Sequence, residues 1–155
     1  MFTQYFSKNK SLLFRNGELK SPNFDLTVNE FLRTLEELES MDVIPIVFSP
    51  LPVNGVDLGR CLARASCMGL NLDECSFRID EISKDVLRVY RFLDEIKDKY
   101  RVVRLDNFIC DNSLCDTHFD STFIYNDSSH LSQEGSAELG KLNDFYRIIV
   151  DGYSN

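Results

Sequence analysis

Three stretches of the chain carry apolar residues at helical spacing. Residues 27 to 40 open with the capping-box pattern Thr27-Val28-Asn29-Glu30 and then repeat apolar side chains every three or four positions, which predicts an amphipathic helix. From residue 79 a second apolar stripe, with charges on the opposite face, predicts a helix of about 20 residues. The third helix is predicted to begin near Ser132. Its apolar face would hold Ala137, Leu139, Leu142, Phe145 and Ile149.

The second stripe also fits a coiled-coil seam. It spans fewer than four heptads and has strand patterns on both sides, so packing against a sheet is the favoured interpretation. Residues 53 to 77 have no clear period, and we expect them to hold one short helix.

Two short apolar runs predict strands between these helices. Residues 43 to 49, "VIPIVFS", are almost continuously apolar, as in a strand buried on both faces, and the prolines at 50 and 52 end the run. Residues 101 to 108, "RVVRLDNF", predict the next strand. Helices that alternate with strands indicate an α/β fold with a parallel sheet. Sites in such sheets form at the carboxyl ends of the strands, which here are residues 49 to 60 and 107 to 131.

Length and charge restrict the function classes. A chain of 155 residues predicts one domain, and 43% hydrophobic with 27% charged residues fits a globular protein. The net charge of −8 argues against nucleic acid as a partner, because phosphate contacts need clustered lysine and arginine. No apolar run approaches the roughly 20 residues that span a bilayer, and the first residues lack a signal-peptide pattern.

Five cysteines, at positions 61, 67, 75, 110 and 115, are more than packing requires. Cys110 and Cys115 bracket the polar loop "CDNSLC" and are a candidate disulfide if their Cα atoms lie within about 7 Å. A disulfide requires an oxidising compartment, which the missing signal peptide does not support. The equally weighted alternative is five reduced, partly buried cysteines.

A metal site is an alternative use of the same loop. Cys110, Cys115 and His118 offer three ligands within nine residues, and Asp116 or Asp120 could supply a fourth. The spacing matches no standard zinc pattern, so we predict neither a metal nor a cofactor. His118 is interpreted as an exposed loop residue.

The segment "YNDSSHLSQEG", residues 125 to 135, holds the most suggestive pair of side chains. Asp127, three positions before His130, can fold back and accept a hydrogen bond from the imidazole, which fixes its tautomer. The other ring nitrogen would then be free to take a proton from a nucleophile. By spacing alone this pattern is weak, because an aspartate and a histidine in a polar loop are usually only solvated.

The surrounding residues resemble a known family. "DSSHLSQEGSAEL" is similar to the Asp-x-x-His-Leu-Ser-x-x-Gly-Ala block that closes the SGNH hydrolase fold. "VRLDNFICDNSLC", "FIYND" and "VIPIVFSPLPVNGVDLGRC" resemble the paired-cysteine loop, the approach to the aspartate and the Pro-x-Pro strand end of the SGNH domains in acyltransferase-3 polysaccharide O-acyltransferases. The resemblance covers about residues 28 to 148.

The resemblance implies a three-layer α/β/α, flavodoxin-like fold and a catalytic triad. In that family a serine attacks an acyl donor, a histidine like His130 is the general base, and an aspartate like Asp127 orients it. The acyl group, often acetyl, passes to a sugar hydroxyl of a cell-surface polysaccharide, without a cofactor. The resemblance also implies a periplasmic location beside a membrane-embedded acyltransferase domain. Two other functions remain open, an esterase- or lipase-type SGNH hydrolase and an inactive SGNH-like interaction module.

The chain departs from the family pattern at the nucleophile. The family's serine lies in a Gly-Asp-Ser block on the first strand, and these residues contain no such block. Residues 1–155 are therefore expected to form a single partial domain, incomplete on its N-terminal side and inactive alone. Ser7, Ser49 and Ser132 are possible substitutes, but none lies at a glycine-flanked strand-to-helix turn, and Ser132 fits better as a helix cap. The missing strand also predicts an exposed apolar sheet edge near residues 43 to 48.

Overall fold

Short helices and strands alternate along the chain in the computed structural model, which describes residues 13–15, 18–20 and 23–151. A hairpin of β1 (Leu13–Arg15) and β2 (Glu18–Lys20) comes first. The later helices are α1 (Phe24–Glu39), α2 (Leu58–Met68), α3 (Lys84–Asp94), α4 (Asp106–Ile109), α5 (Gln133–Leu142) and α6 (Phe145–Val150). The later strands are β3 (Ile46–Phe48), β4 (Phe77–Arg78), β5 (Arg101–Val103), β6 (Leu114–Cys115), β7 (His118–Phe119) and β8 (Thr122–Phe123).

One parallel strand pair supports the predicted α/β class. β3 lies parallel to β5, with Ile46 opposite Arg101. Helices α1 and α3 pack together against this pair, where Leu35, Phe92 and Ile96 are buried beside Val47 and Val102. The other described sheets are antiparallel pairs, β4 with β6 and β7 with β8. Mixed helices and a parallel pair are therefore present.

The first two predicted helices begin at other residues than expected. Asn23, rather than Thr27, caps α1, and its side chain accepts a hydrogen bond from Leu26 N. Thr27 lies in the first turn, where its hydroxyl donates to Asn23 O at 2.7 Å. The helix predicted from residue 79 starts only at Lys84, because Ser83 caps it. Residues Ile79–Glu81 form a separate 3-10 turn.

The predicted last strand and last helix are both broken. The strand predicted over 101 to 108 stops at Val103, and α4 begins at Asp106, whose carboxylate pairs with Arg104 at 2.8 Å. The last helix is divided because Asp144 takes a left-handed conformation (φ 46°) and caps α6. The predicted apolar face is therefore wrong in part, since Ala137 and Leu142 are exposed.

The run at 43 to 49 is shorter and less buried than predicted. Only Ile46–Phe48 is a strand, and Val43, Ile44 and Phe48 are 45%, 47% and 39% exposed. Burial on both faces was a wrong expectation, because Ile46 and Val47 are only partly buried and Phe48 is exposed. Among the described residues, β3 also has a partner strand along one edge only. The exposed apolar surface expected there is present.

A second core positions the C-terminal loops. Leu51, Leu58, Ile109, Ile124 and Tyr125 are all buried in it. The Tyr125 hydroxyl donates to Pro52 O at 2.6 Å and so ties the segment after β8 to the segment after β3. Among the described helices, none is long and apolar enough to cross a membrane.

Two disulfides brace these loops. Cys110 joins Cys115, the pair considered from the sequence, and closes the short loop before β6. Cys61 joins Cys75, which links α2 to a 3-10 turn at Leu72–Cys75 and was not predicted. Cys67 is left free and exposed.

Candidate active site

The loop between β8 and α5 carries the predicted aspartate and histidine. Its two ends are held together by backbone hydrogen bonds, because Asn126 N donates to His130 O and Ser132 N donates to Ile124 O, both at 2.8 Å. Ser132 caps α5, as predicted, and accepts from Gly135 N at 2.8 Å. The strand before the loop and the helix after it therefore fix a tight turn.

The Asp127 carboxylate lies at the centre of this turn. It accepts hydrogen bonds from Ser129 N at 2.8 Å and His130 N at 2.9 Å, and the imidazole of His130 adds a third. These donors, the Ser129 amide first, lower the pKa of Asp127 to about 2. The carboxylate is consequently ionised at neutral pH and can only accept.

Because Asp127 can only accept, the proton of a neutral His130 ring lies on Nδ1. That nitrogen is 2.8 Å from Asp127 Oδ2, within the 3.2 Å that an orienting carboxylate requires. Nε2 has no hydrogen-bond partner among the described residues, and the side chain is 75% exposed. An imidazole held in this way can accept a proton at Nε2 from a group that approaches from solvent.

Two glycines let neighbouring backbone approach this loop. A Cβ on Gly59, in the first turn of α2, would lie 2.1 Å from Asn126 O and 2.7 Å from Asp127 N. A Cβ on Gly135, in α5, would lie 2.5 Å from Phe123 O. Neither glycine was predicted from the sequence to have this role, although Gly135 lies within the block that resembles the family.

A cleft of about 430 Å³ lies beside the loop. Gly59, Thr122, Tyr125, Asn126 and Ser132 are among its lining residues, but Asp127 and His130 are not. The imidazole therefore does not form part of the wall of this cleft, and its exposed Nε2 is open to solvent.

The serines considered as substitute nucleophiles are placed differently. Ser49 is buried, where its hydroxyl accepts from Leu105 N at 2.8 Å and donates to Pro50 O. The Ser132 hydroxyl donates to Phe123 O while it caps α5. Ser7 lies outside the described residues. The hydroxyls of Ser49 and Ser132 are thus both engaged in hydrogen bonds with backbone groups.

His118 is not the exposed loop residue that the sequence suggested. Its side chain is 16% exposed, with Nδ1 2.8 Å from Asp120 O and Nε2 3.1 Å from Asp73 Oδ1. The metal alternative also loses its ligands, because the sulfur atoms of Cys110 and Cys115 are bonded to each other. Across the described part of the chain, no cluster of three or more His, Cys, Asp or Glu could hold a metal ion.

Comparison with known proteins agrees with the resemblance inferred from the sequence. The family described as "SGNH domain (fused to AT3 domains)" matches residues 2–143. Among proteins with curated descriptions, none matches significantly.

A solved structure shares the fold. The periplasmic domain of the lipopolysaccharide acetyltransferase of Salmonella ser. Paratyphi A superposes with a TM-score of 0.62 and 16% sequence identity. The match covers 87% of this chain and 53% of that one, so this chain spans about half the length of its structural relative. The match over residues 2–143 confirms the resemblance, and the chain belongs to the family of SGNH domains that are fused to AT3 domains.

Proposed function

We propose that this chain supplies the general base of an SGNH-type O-acyltransferase that transfers an acyl group, most simply acetyl, to a sugar hydroxyl of a cell-surface polysaccharide. One observation carries the proposal: His130 Nδ1 lies 2.8 Å from the ionised Asp127, while Nε2 is open to solvent. That arrangement is the base and the orienting carboxylate of a serine triad.

In the proposed reaction His130 acts twice. Nε2 removes the hydroxyl proton of a serine as its oxygen attacks the acyl donor, and the imidazolium returns this proton to the leaving group. In the second half, Nε2 removes the proton of the sugar hydroxyl that attacks the acyl-serine, and returns it to the serine. Asp127 stabilises the imidazolium in both halves, because its carboxylate faces Nδ1.

The nucleophilic serine is proposed to come from outside these 155 residues. They contain no Gly-Asp-Ser, and the hydroxyls of Ser49 and Ser132 are occupied. Ser129 is close, with Oγ 3.4 Å from His130 Nδ1, but that nitrogen faces Asp127 rather than a substrate. A serine carried by a further segment would approach Nε2 from the exposed side of the imidazole.

A periplasmic location beside a membrane-embedded acyltransferase is part of the proposal. The family's domains are fused to AT3 domains, and the similar solved structure is a periplasmic domain. The disulfides Cys61–Cys75 and Cys110–Cys115 favour an oxidising compartment of this kind.

Two measurements test the proposed roles. In cells that carry the gene, His130→Ala should abolish polysaccharide O-acetylation, measured from the acetyl methyl signals in proton NMR. Asp127→Asn should lower it by about 10²- to 10⁴-fold. Ser136→Ala, an exposed change on α5, is the control and should leave acetylation unchanged. Unaltered acetylation in His130→Ala cells would refute the proposal.

The second measurement concerns the nucleophile. The purified chain should not react with a serine-directed fluorophosphonate, because its own described serines are not placed before Nε2. Stoichiometric labelling that disappears in His130→Ala would show that a serine within these residues is the nucleophile.

A second candidate function is an interaction module without chemistry. The absence of a Gly-Asp-Ser block is the observation that favours it. Under this alternative, His130→Ala cells keep normal acetylation, so the same experiment decides between the two functions.

A further inference from the structure

Two arginines on α2 have no carboxylate partner among the described residues, unlike most of the described arginines. Arg60 and Arg64 lie one turn apart, are exposed, and line the same cleft of about 470 Å³. Neither guanidinium has a carboxylate partner among the described residues, whereas Arg33, Arg78, Arg88, Arg104 and Arg147 each pair with an aspartate or glutamate. In a chain with 25 acidic and 17 basic residues, two adjacent unpaired guanidinium groups are available to a ligand.

The remaining walls of the cleft provide apolar contact and an acceptor. Val56 and Leu70 line it and are 52% and 47% exposed. Glu74 also lines it and has no ion-pair partner among the described residues. Asp57 also lines the cleft, and its Oδ1 accepts from Arg60 N at 2.9 Å as the cap of α2.

The cleft has a fixed shape because a disulfide forms part of its wall. Cys61 on α2 is bonded to Cys75 in the 3-10 turn that carries Glu74, so both sides of the cleft are covalently joined. Cross-linked walls lose less conformational entropy when a ligand binds.

The cleft and the catalytic loop are attached to the same turn of α2. Gly59, which precedes Arg60, packs directly against the peptide between Asn126 and Asp127. A polymer bound at Arg60 would therefore lie on the helix that supports the loop of His130.

We propose that this cleft binds an acidic sugar unit of the polysaccharide acceptor. The inference rests on the proposed function and adds the chemical class of the acceptor. Arg60 and Arg64 would donate hydrogen bonds to the anionic group, either a uronate carboxylate or a sugar phosphate, since the planar guanidinium suits both. Glu74 would accept hydrogen bonds from sugar hydroxyls. Val56 and Leu70 would contact the apolar face of the ring.

Binding of defined probes to the 155-residue chain tests this inference. The probes are trigalacturonic acid, galactose 1-phosphate and the neutral trisaccharide maltotriose, measured by isothermal titration calorimetry. At least one anionic probe should bind more tightly than maltotriose, and its affinity should fall as salt is added. The stronger of the two anionic probes identifies a carboxylate or a phosphate as the preferred group.

Variants localise the site. Arg60→Gln combined with Arg64→Gln should weaken the anionic probe by at least about tenfold, because two charged hydrogen bonds are lost. Arg101→Gln is the matched control, since Arg101 is also exposed and has no ion-pair partner among the described residues, but lies on β5. The Arg101→Gln chain should bind the anionic probe with the same affinity as the unmodified chain. Equal binding of maltotriose, no binding of any probe, or equal losses in the control and the double variant would overturn the inference.

The test is independent of the proposed chemistry. Binding needs neither a serine nor His130, so His130→Ala should bind the anionic probe as the unmodified chain does. If the cleft binds nothing while His130→Ala cells lose acetylation, only the acceptor inference fails. If the cleft binds and acetylation does not depend on His130, the proposed catalytic role fails instead.

Discussion

The contact between Gly59 and the loop of Asp127 and His130 allows a sharp test of how the candidate site is held. In Gly59→Ala the new Cβ would lie 2.1 Å from Asn126 O and 2.3 Å from Asn126 C, where real contacts stay beyond 3.0 Å. Either α2 or the loop must therefore move by about 1 Å. Both sides of the contact are backbone, so no side-chain rotation relieves it.

The expected cost follows from this displacement. Overpacking of this kind lowers the free energy of unfolding by about 1 to 3 kcal/mol. For a domain of this size that corresponds to a fall in Tm of about 2 to 12 °C. Because the loop's own hydrogen bonds start at Asn126, the shift should also disturb the contact between Asp127 and His130.

The assay compares two glycine-to-alanine variants by thermal unfolding and by nitrogen-15 NMR of the histidine ring. Gly140→Ala, on α5, is the control because its Cβ would meet nothing within 4 Å. It should leave the Nδ1–H signal of His130 unchanged and raise stability by about 0.5 to 1 kcal/mol, since alanine is the better helix former. A Gly59→Ala chain that is as stable as the control and keeps the same Nδ1–H signal would contradict this prediction.

Three further predictions concern other contacts of the site. Ser132→Ala should lower the free energy of unfolding by about 1 to 2 kcal/mol, because the helix cap and the hydrogen bond to Phe123 O are lost. The control Ser136→Ala should change the free energy of unfolding by less than about 0.5 kcal/mol. Urea unfolding measures both values. Folding lowers the pKa of Asp127 from about 3.9 in the unfolded chain to about 2. The ionised carboxylate therefore stabilises the folded chain fully above the unfolded pKa, and this stabilisation is lost as the pH falls towards about 2. Over this pH range the urea midpoint should drop more steeply in the unmodified chain than in Asp127→Ala. Replacing Cys61 and Cys75 together by serine should cost about 3 kcal/mol, as expected for a loop closed across 14 positions, and an unchanged urea midpoint would contradict the bond.

Local patterns were sufficient where the interaction itself is local. Asp127 and His130 are three positions apart within a block that resembles a known family, and Ser132 caps the helix that starts at the next residue, so both contacts lie within the reach of a local pattern. The start of α1 was predicted wrongly, because the capping-box pattern at Thr27 was taken as the helix start. The structure shows that Asn23 is the cap and Thr27 bonds back to it.

Other features depend on residues far apart in sequence and could not be inferred from spacing. His118 was taken for an exposed loop residue, yet it pairs with Asp73, 45 positions earlier. The close approach of Gly59 to Asn126 and the bond between Cys61 and Cys75 likewise arise only when α2 is packed. The apolar run at 43 to 49 had the right composition for a strand, but composition does not say how many neighbours cover it.

The hydrogen bond from Tyr125 to Pro52 has a consequence for the order in which the protein folds. It spans 73 positions, and it anchors the strand end from which the Asp127 turn extends. Contacts this distant close large loops and form after local helices, so we expect α2 and α3 to be structured before the aspartate and histidine are brought into place. The amide protons of the turn should then exchange with solvent through small openings, well before those of Ile96 or Leu93 in the buried core. The residues proposed for chemistry would thus belong to the part of the molecule that assembles last and opens first.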